Sequence, residues 1–188
     1  KYDDATKPGK DSHSWLGRLN NIRTALQGQQ GDRRLRLGIA GGEWKKMMAD
    51  ATARTRFASE VKKIIEQYEF DGVDFDFEWP ANASEYNNYS ATVIQMRSTL
   101  GKYVYFTASL HPVSFKISPE AIDALDFISY QCYGPAVMRF PYEQFVKDGE
   151  AAVAYGIPKN KLVMGVPFYG STGSLIAAYC DFVNDGLA

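Results

Sequence analysis

The sequence predicts an α/β protein built on parallel strands, and two observations lead to that prediction. Short apolar strands alternate with longer helical segments four times in succession, and each connection is long enough to hold the helix of a crossover between parallel strands. The strands are apolar along most of their length, which is typical of strands that helices cover. A chain of 188 residues has the size of one domain.

The first half of the chain supplies two helices and two strands. A helix is predicted for residues 14–29, where apolar side chains recur at helical spacing. The glycine-ended stretch LRLGIAGG, residues 35–42, predicts a strand, and a second helix follows at 54–68. The stretch GVDFDFEWP, residues 72–80, predicts the next strand, which Pro80 ends because proline has no N–H for the following ladder bond.

The second half repeats this alternation. Ser118, Pro119 and Glu120 have the chemistry of a helix start, a capping hydroxyl followed by proline in the first turn. Residues 171–188 are expected to be either a tail or the start of the segment that follows the last strand. Further helices are predicted at residues 84–99 and 142–155, and further strands at residues 103–110, 126–134 and 161–170.

Composition and charge exclude several classes of partner. The 21 basic and 22 acidic residues give a formal charge of -1, so no basic surface for nucleic acid is expected. No apolar run reaches the roughly 18 residues of a membrane span, and the first residues do not form a signal-like segment. The two cysteines, Cys132 and Cys180, form no metal-binding spacing. We therefore expect no membrane span, no metal and no cofactor.

The stretch FDGVDFDFEWP, residues 70–80, carries the chemistry of this sequence. Residues two apart in a strand share a face, so Asp74, Asp76 and Glu78 point one way and the aromatic residues between them point the other. An open doubly wound sheet and a (β/α) barrel both fit the alternation of elements. Three carboxylates in a row cannot face a helix layer, but they fit the inside of a barrel, near the mouth where barrel active sites lie.

The spacing of these acids predicts an acid catalyst with a supporting relay. Glu78 stands last before the strand ends and nearest the mouth, while Asp76 and Asp74 lie successively deeper. Neighbouring carboxylates raise one another's pKa, which keeps one of them protonated at neutral pH. A hard cation could also bind such acids, but the spacing matches no calcium-binding loop, and the acid catalyst is favoured.

The same stretch resembles the DxxDxDxE signature of family 18 glycoside hydrolases, the chitinase family, with Asp71, Asp74, Asp76 and Glu78 in its acidic positions. The strands at 35–42, 103–110, 126–134 and 161–170 resemble the third, fifth, sixth and seventh strands of that family. The resemblance implies a (β/α)8 TIM barrel, present here as an incomplete part, about strands 3 to 7. Residues 1–188 are then one fragment of a catalytic domain.

The resemblance also implies a role for each site residue. Glu78 would be the general acid, and the N-acetyl group of the substrate would attack the anomeric carbon in place of an enzymatic nucleophile. Asp76 would orient that acetamido group, and Asp74 would tune Asp76 from below. Tyr133 would donate a hydrogen bond to the acetamido oxygen, and Gln131 would bind substrate from the same face.

Three further positions complete the prediction. Asp71 has the opposite parity from the other acids and is read as structural. Trp44 is either a surface on which a sugar stacks or a core tryptophan. His111 follows a strand near the expected mouth, where it either lines the groove or is a solvated loop histidine, and the second reading is favoured.

The implied function is hydrolysis of β-1,4-linked N-acetylglucosamine polymers, chitin or chito-oligosaccharides, by a secreted or cell-surface glycosidase. Two alternatives stay open: an endo-β-N-acetylglucosaminidase that acts on N-glycans, and a non-catalytic chitinase-like lectin, against which the presence of Glu78 argues. Five strands do not close a barrel, so the 188 residues by themselves are expected to be inactive.

Overall fold

A computed structural model describes residues 15–27, 31, 33–133, 142–172 and 175–184. Contacts divide the chain into two compact units, with the boundary between Leu35 and Arg36. In the first unit the described structure is helix α1, Trp15–Gln27, where a helix was predicted. The second unit holds the elements described below. Among the described helices, none is both long and apolar enough to cross a membrane.

The second unit is built on a sheet of five parallel strands whose spatial order follows the sequence. A doubly wound sheet reverses its strand order at a switch point, whereas a barrel keeps the order. The sheet therefore has the topology of part of a barrel. Its strands are β1 Arg36–Gly41, β2 Gly72–Phe77, β3 Tyr105–Leu110, β4 Phe127–Gln131 and β5 Leu162–Gly165.

Helices connect these strands, and side-chain caps fix where three of them begin. Asp50 accepts a hydrogen bond from the Ala53 N–H at 2.7 Å, and Asn82 accepts one from Glu85 at 3.0 Å. Ser118 caps the helix that starts at Pro119, as the sequence predicted. The helices are α2 Lys45–Ala49, α3 Ala51–Gln67, α4 Ala83–Leu100, α5 Pro119–Ala124 and α6 Tyr142–Tyr155.

The hydrophobic core lies between the sheet and its helices. Phe75 of β2 packs edge-on against Tyr89 of α4, with ring centroids 5.3 Å apart, and Phe77 contacts the same tyrosine. The buried Tyr89 hydroxyl donates to the Phe75 carbonyl at 2.9 Å. We call this side of the sheet the helix face and the opposite side the inner face. Packing on the helix face turns the alternate residues of β2 inward.

The structure corrects one predicted element. The predicted strand at 161–170 is broken: β5 ends at Gly165, and a separate hairpin follows from β6 Tyr169–Thr172 and β7 Leu175–Ala178. Pro167 lies in the break, where its missing N–H cannot serve a parallel ladder. Residues from 171 onward, expected to be either a tail or the start of the segment after the last strand, include the rest of this hairpin and helix α7, Tyr179–Asn184. The predicted strand end at Gly134 lies outside the described residues.

Candidate active site

Strand β2 places its acidic residues on the inner face. Val73, Phe75 and Phe77 are buried on the helix face, while the alternating Asp74 and Asp76 are half-buried on the other side. The burial alternates residue by residue, as a strand of period two requires. Two carboxylates therefore stand one above the other on the inner face, with Glu78 beyond the end of the strand.

The loop after β1 holds Glu78 through backbone contacts. The Glu78 N–H donates to the Gly41 carbonyl at 3.1 Å, and the peptide bond between Glu78 and Trp79 is cis. A Cβ atom at Gly42 would lie 2.8 Å from the Glu78 carbonyl oxygen, so only glycine lets the two backbones approach this closely. The Glu78 side chain is exposed, where a substrate can reach it.

Asp74 is held by three side chains. Its Oδ2 accepts a hydrogen bond from Ser109 at 2.7 Å, and its Oδ1 accepts from the Thr107 hydroxyl. The guanidinium of Arg36 lies 3.4 Å from Oδ1 and also contacts Thr107. We call Arg36, Asp74, Thr107 and Ser109 the floor cluster.

Asp76 has a much emptier environment. Gln131 Nε2 lies 3.5 Å from its Oδ2, and Oδ1 is buried with no hydrogen-bond partner among the described residues. Burial raises the pKa of Asp76 to about 6, with further increases from the charges of Glu78 and then Asp74, while the Gln131 hydrogen bond opposes the shift. Asp76 is therefore a carboxyl group that holds a proton into the weakly acidic range.

Tyr133 lies beside these acids, just after β4. Burial raises the pKa of its hydroxyl, and the negative charge of Asp76 raises it further, while a hydrogen bond with Gln131 acts against both. Its ring stands edge-on to Tyr169, with centroids 6.2 Å apart. The structure thus brings together Asp76, Glu78, Gln131 and Tyr133, which we call the rim cluster.

His111 is a residue that the sequence analysis misjudged, because it is buried rather than solvated. The Val113 N–H donates to its Nδ1 at 3.2 Å, which leaves Nε2 as the protonated nitrogen, 2.8 Å from the Tyr133 carbonyl oxygen. Its ring also packs against Trp79, with centroids 5.5 Å apart. His111 therefore connects the segment after Glu78 to the segment that carries Tyr133.

Two predicted residues make contacts with residues outside the two clusters. Trp44 packs against Phe57 of α3 at 5.4 Å, and its buried Nε1 has no hydrogen-bond partner among the described residues. Of its two interpretations, the core position is the one its contacts match. Asp71 lies just before β2, where its carbonyl accepts the Tyr105 N–H at 3.0 Å, a position at the strand entry.

The described acids do not form a metal site. Within the ranges 15–27, 33–133, 142–172 and 175–184, no three His, Cys, Asp or Glu side chains converge in a way that could hold a metal ion. The inner face instead presents a half-buried carboxyl with a raised pKa below an exposed carboxyl. Such a pair suits general acid chemistry, because the two groups occupy different environments.

Comparison with known families matches this arrangement. The profile of glycosyl hydrolases family 18 matches residues 4–181, nearly the whole chain. The chain belongs to this family. Its parallel sheet in sequence order is accordingly part of the family 18 barrel.

Individual relatives cover most of this chain but a minor part of their own length. "Probable chitinase 2" of Drosophila melanogaster is 26% identical over an alignment 189 positions long, which covers 80% of this chain and 37% of that protein. The "Endochitinase" of Manduca sexta is 28% identical over an alignment 179 positions long, which covers 74% of this chain and 32% of that protein. The chain thus spans about a third of these curated relatives.

Solved structures agree with the fold. The family 18 chitinase ChiB from the chitin utilization locus of Flavobacterium johnsoniae superposes with a TM-score of 0.77 at 22% identity, over 89% of this chain and 60% of that one. The chitinase from Cycas revoluta, solved with (GlcNAc)3, gives a TM-score of 0.74 at 16% identity, over 89% of this chain and 65% of its own. At sequence identities this low, the structural similarity establishes the barrel fold alone.

Proposed function

We propose that the protein containing this chain hydrolyses β-1,4-linked N-acetylglucosamine polymers, with retention of configuration and with assistance from the substrate's own acetamido group. The observation that carries this proposal is the pair formed by Asp76 and Glu78. One carboxyl is half-buried with a pKa raised to about 6, and the other is exposed just beyond the end of the strand, close enough for its charge to raise that pKa further.

In the first step Glu78 donates its proton to the glycosidic oxygen while the bond from that oxygen to the anomeric carbon breaks. The acetamido carbonyl oxygen of the same sugar forms a new bond to the anomeric carbon, which gives a positively charged oxazolinium ring. A water molecule then attacks the anomeric carbon from the side that the leaving group vacated, the bond from the acetamido oxygen to that carbon breaks, and the water gives one proton to the Glu78 carboxylate. Two displacements at one carbon retain its configuration.

The rim cluster supports the charged ring. The unpartnered Oδ1 of Asp76 can accept the acetamido N–H, and a carboxylate there stabilises the positive charge. Tyr133 can donate its hydroxyl to the acetamido oxygen, and the Gln131 amide can bind beside it. Both side chains approach Asp76 from β4 and the residues that follow it.

The substrate class is supported by the family and by what its members bind. The relatives named above are chitinases, and the Cycas revoluta enzyme was solved with (GlcNAc)3. An insoluble polymer cannot enter a cell, so we propose that the protein acts in a secreted or cell-surface form. No specific contact in the rim cluster favours an N-glycan over a chito-oligosaccharide.

The test is the anomeric form of the first product. The full-length protein is mixed with a chito-oligosaccharide, and proton NMR spectra are recorded in the first minutes, before mutarotation mixes the anomers. Retention predicts that the β anomer appears first from the β-linked substrate. Early α anomer would contradict the proposed mechanism, and absence of any cleavage by the full-length protein would contradict the proposed activity.

A further inference from the structure

Arg36 crosses the inner face of the sheet beneath the site. It is the first residue of β1 and lies opposite Gly72 in the strand register. Its Nη1 reaches Asp74 of β2 at 3.4 Å and contacts Thr107 of β3, while its guanidinium carbon lies 4.8 Å from the centre of the Phe127 ring of β4. One cationic side chain therefore contacts three neighbouring strands below Asp76.

Arg36 restricts where a proton can reside on Asp74. A guanidinium donates hydrogen bonds and accepts none, so the Oδ1 atom that faces Arg36 must be unprotonated. Oδ1 also accepts from Thr107, and Oδ2 accepts from Ser109 at 2.7 Å. Three donors directed at one carboxyl group favour its charged form.

Asp76, two residues along the same face, has no comparable donors. It meets the Gln131 amide at 3.5 Å, and its Oδ1 is buried without a partner among the described residues. Among the described residues, the other ionisable groups that act on it are Asp74, Glu78, Tyr133 and the buried Tyr89 behind the strand. None of these supplies a positive charge, and the pKa of Asp76 is raised accordingly.

We propose that Arg36 is a positioning residue that keeps Asp74 ionised and thereby places the proton of the Asp74–Asp76 pair on Asp76. This inference rests on the proposed function and deepens it. Asp76 precedes Glu78 by two residues, so a proton on Asp76 is available to the other members of the rim cluster. A proton on Asp74 would be confined among Thr107 and Ser109.

A purely structural role for Arg36 would be to hold neighbouring strands together. Arg97 makes the same kinds of contact elsewhere in the chain. Arg97 pairs with Asp126 at 2.7 Å, and its guanidinium carbon lies 5.5 Å from the centre of the Phe106 ring. It also donates to the carbonyls of Ala124 and Val104. Arg97 thus reproduces the ion pair and ring contact of Arg36 away from the rim cluster.

The experiment compares Arg36→Met, Arg36→Lys and Arg97→Met in the full-length protein by the pH dependence of kcat/KM on a chito-oligosaccharide. Below about pH 6 the proton of the pair neutralises Asp76, and the oxazolinium charge then has no carboxylate beside it as counter-ion. A cation favours ionisation of the pair. Arg36→Met should therefore move the acidic limb, which is the fall of kcat/KM at low pH, to higher pH by roughly one pH unit. Arg36→Lys should restore much of its position, whereas Arg97→Met should lower Tm and leave the limb in place.

A second measurement does not depend on activity. The carboxyl carbons of labelled aspartates are titrated by 13C NMR, with Asp74→Asn and Asp76→Asn used to assign the two signals. In the wild type the change near pH 6 should fall mainly on Asp76, and in Arg36→Met it should be divided between both residues, as coupled groups behave. If the variants fold and both the acidic limb and the Asp74 signal match the wild type, Arg36 has no such role.

The two proposals can fail separately. A wild-type protein that cleaves no chito-oligosaccharide but shows the expected redistribution of the carboxyl signals contradicts the proposed function and leaves the role of Arg36 standing. A wild-type protein that cleaves with retention, together with an Arg36→Met variant whose limb and signals are unchanged, contradicts the role of Arg36 alone. Equal shifts in Arg36→Met and Arg97→Met would assign the effect to loss of packing and also contradict it.

Discussion

The floor cluster and the rim cluster lie on the same face of the same sheet and differ in how far their hydrogen bonds are satisfied. In the floor cluster Asp74 accepts from two hydroxyls and faces a guanidinium. In the rim cluster Asp76 has a single long contact with an amide and one buried oxygen without a partner among the described residues. The two carboxylates are separated by a single residue, yet their environments are opposite.

This difference in hydrogen bonding distinguishes a cluster suited to supporting the strand, the floor, from a cluster suited to binding a ligand, the rim. A polar group whose hydrogen bonds are complete is held in one position, while a buried oxygen without a partner carries a free-energy cost that a bound ligand can relieve. We therefore propose that the floor fixes the strand and that the rim receives the acetamido group of the substrate. Substitutions are expected to have the largest effect on the side chains of the rim, a smaller effect on the backbone that holds Glu78, and the smallest effect on the proton of Asp76.

The largest effect is expected for Glu78→Gln. Glutamine keeps the shape and hydrogen-bonding reach of the side chain but has no transferable proton, so kcat should fall by about 10² to 10⁴, the usual contribution of general acid catalysis. Affinity for the oligosaccharide, measured by calorimetry, should be kept. Glu43→Gln, in the exposed loop before Trp44, is the control and should keep full activity. Near-normal cleavage by the Glu78 variant would assign the acid elsewhere.

Asp76→Asn should have the next largest effect. An amide cannot balance the positive charge of the oxazolinium ring, and loss of such electrostatic stabilisation typically costs about 10²- to 10³-fold in rate. A thiazoline analogue of N-acetylglucosamine should inhibit the wild type strongly and the variant weakly. A sugar ester trapped on Asp76 and found by mass spectrometry would replace substrate assistance with a covalent mechanism.

Gly42→Ala should lower activity by displacing the backbone of Glu78, a member of the rim cluster. The new methyl group would lie 2.8 Å from the Glu78 carbonyl oxygen, so the segment that carries the acid must shift. Displacement of a catalytic group by about 1 Å can cost up to 10² in rate, and we expect kcat/KM to fall by roughly ten- to a hundredfold. Gly38→Ala in β1, where the methyl group meets nothing within 4 Å, is the matched control. Equal activity of the two variants would show that this close approach is unimportant.

The strand positions of the acids in both clusters could be predicted from the sequence. The parity of Asp74, Asp76 and Glu78 follows from the two-residue period of a strand, and the structure has the same alternation. Helix starts such as Ser118 depend on local capping chemistry and were also predictable. Local rules therefore provide the strands, their faces and the identity of the rim acids.

Contacts between distant residues could not be predicted in this way. Arg36 pairs with a residue 38 positions away, and His111 bonds to the backbone of Tyr133, so neither contact leaves a trace in local spacing. Trp44 was open to two readings because burial depends on Phe57, which belongs to another helix. The break after β5 was missed because an apolar run continues through Pro167.

The smallest expected effect is on stability, and its sign follows from the raised pKa of Asp76. The folded state holds a proton up to about pH 6, whereas the unfolded chain releases it near 3.8. Between these values the folded state binds more protons, so the free energy of unfolding falls as the pH rises through this window. Asp76→Asn removes the titrating group, and its stability relative to the wild type should rise across the same window.

The gain should be about 1–2 kcal/mol above pH 6 and vanish near pH 3. A shift of two units corresponds to roughly 3 kcal/mol, and the half-buried position of Asp76 reduces it through solvent screening. Denaturant unfolding at several pH values measures it. Glu60→Gln should have the opposite slope, because the hydrogen bond from Lys63 lowers the pKa of Glu60, and its contribution is lost as the pH falls. A pH-independent difference between Asp76→Asn and the wild type would mean that the rim holds no such proton.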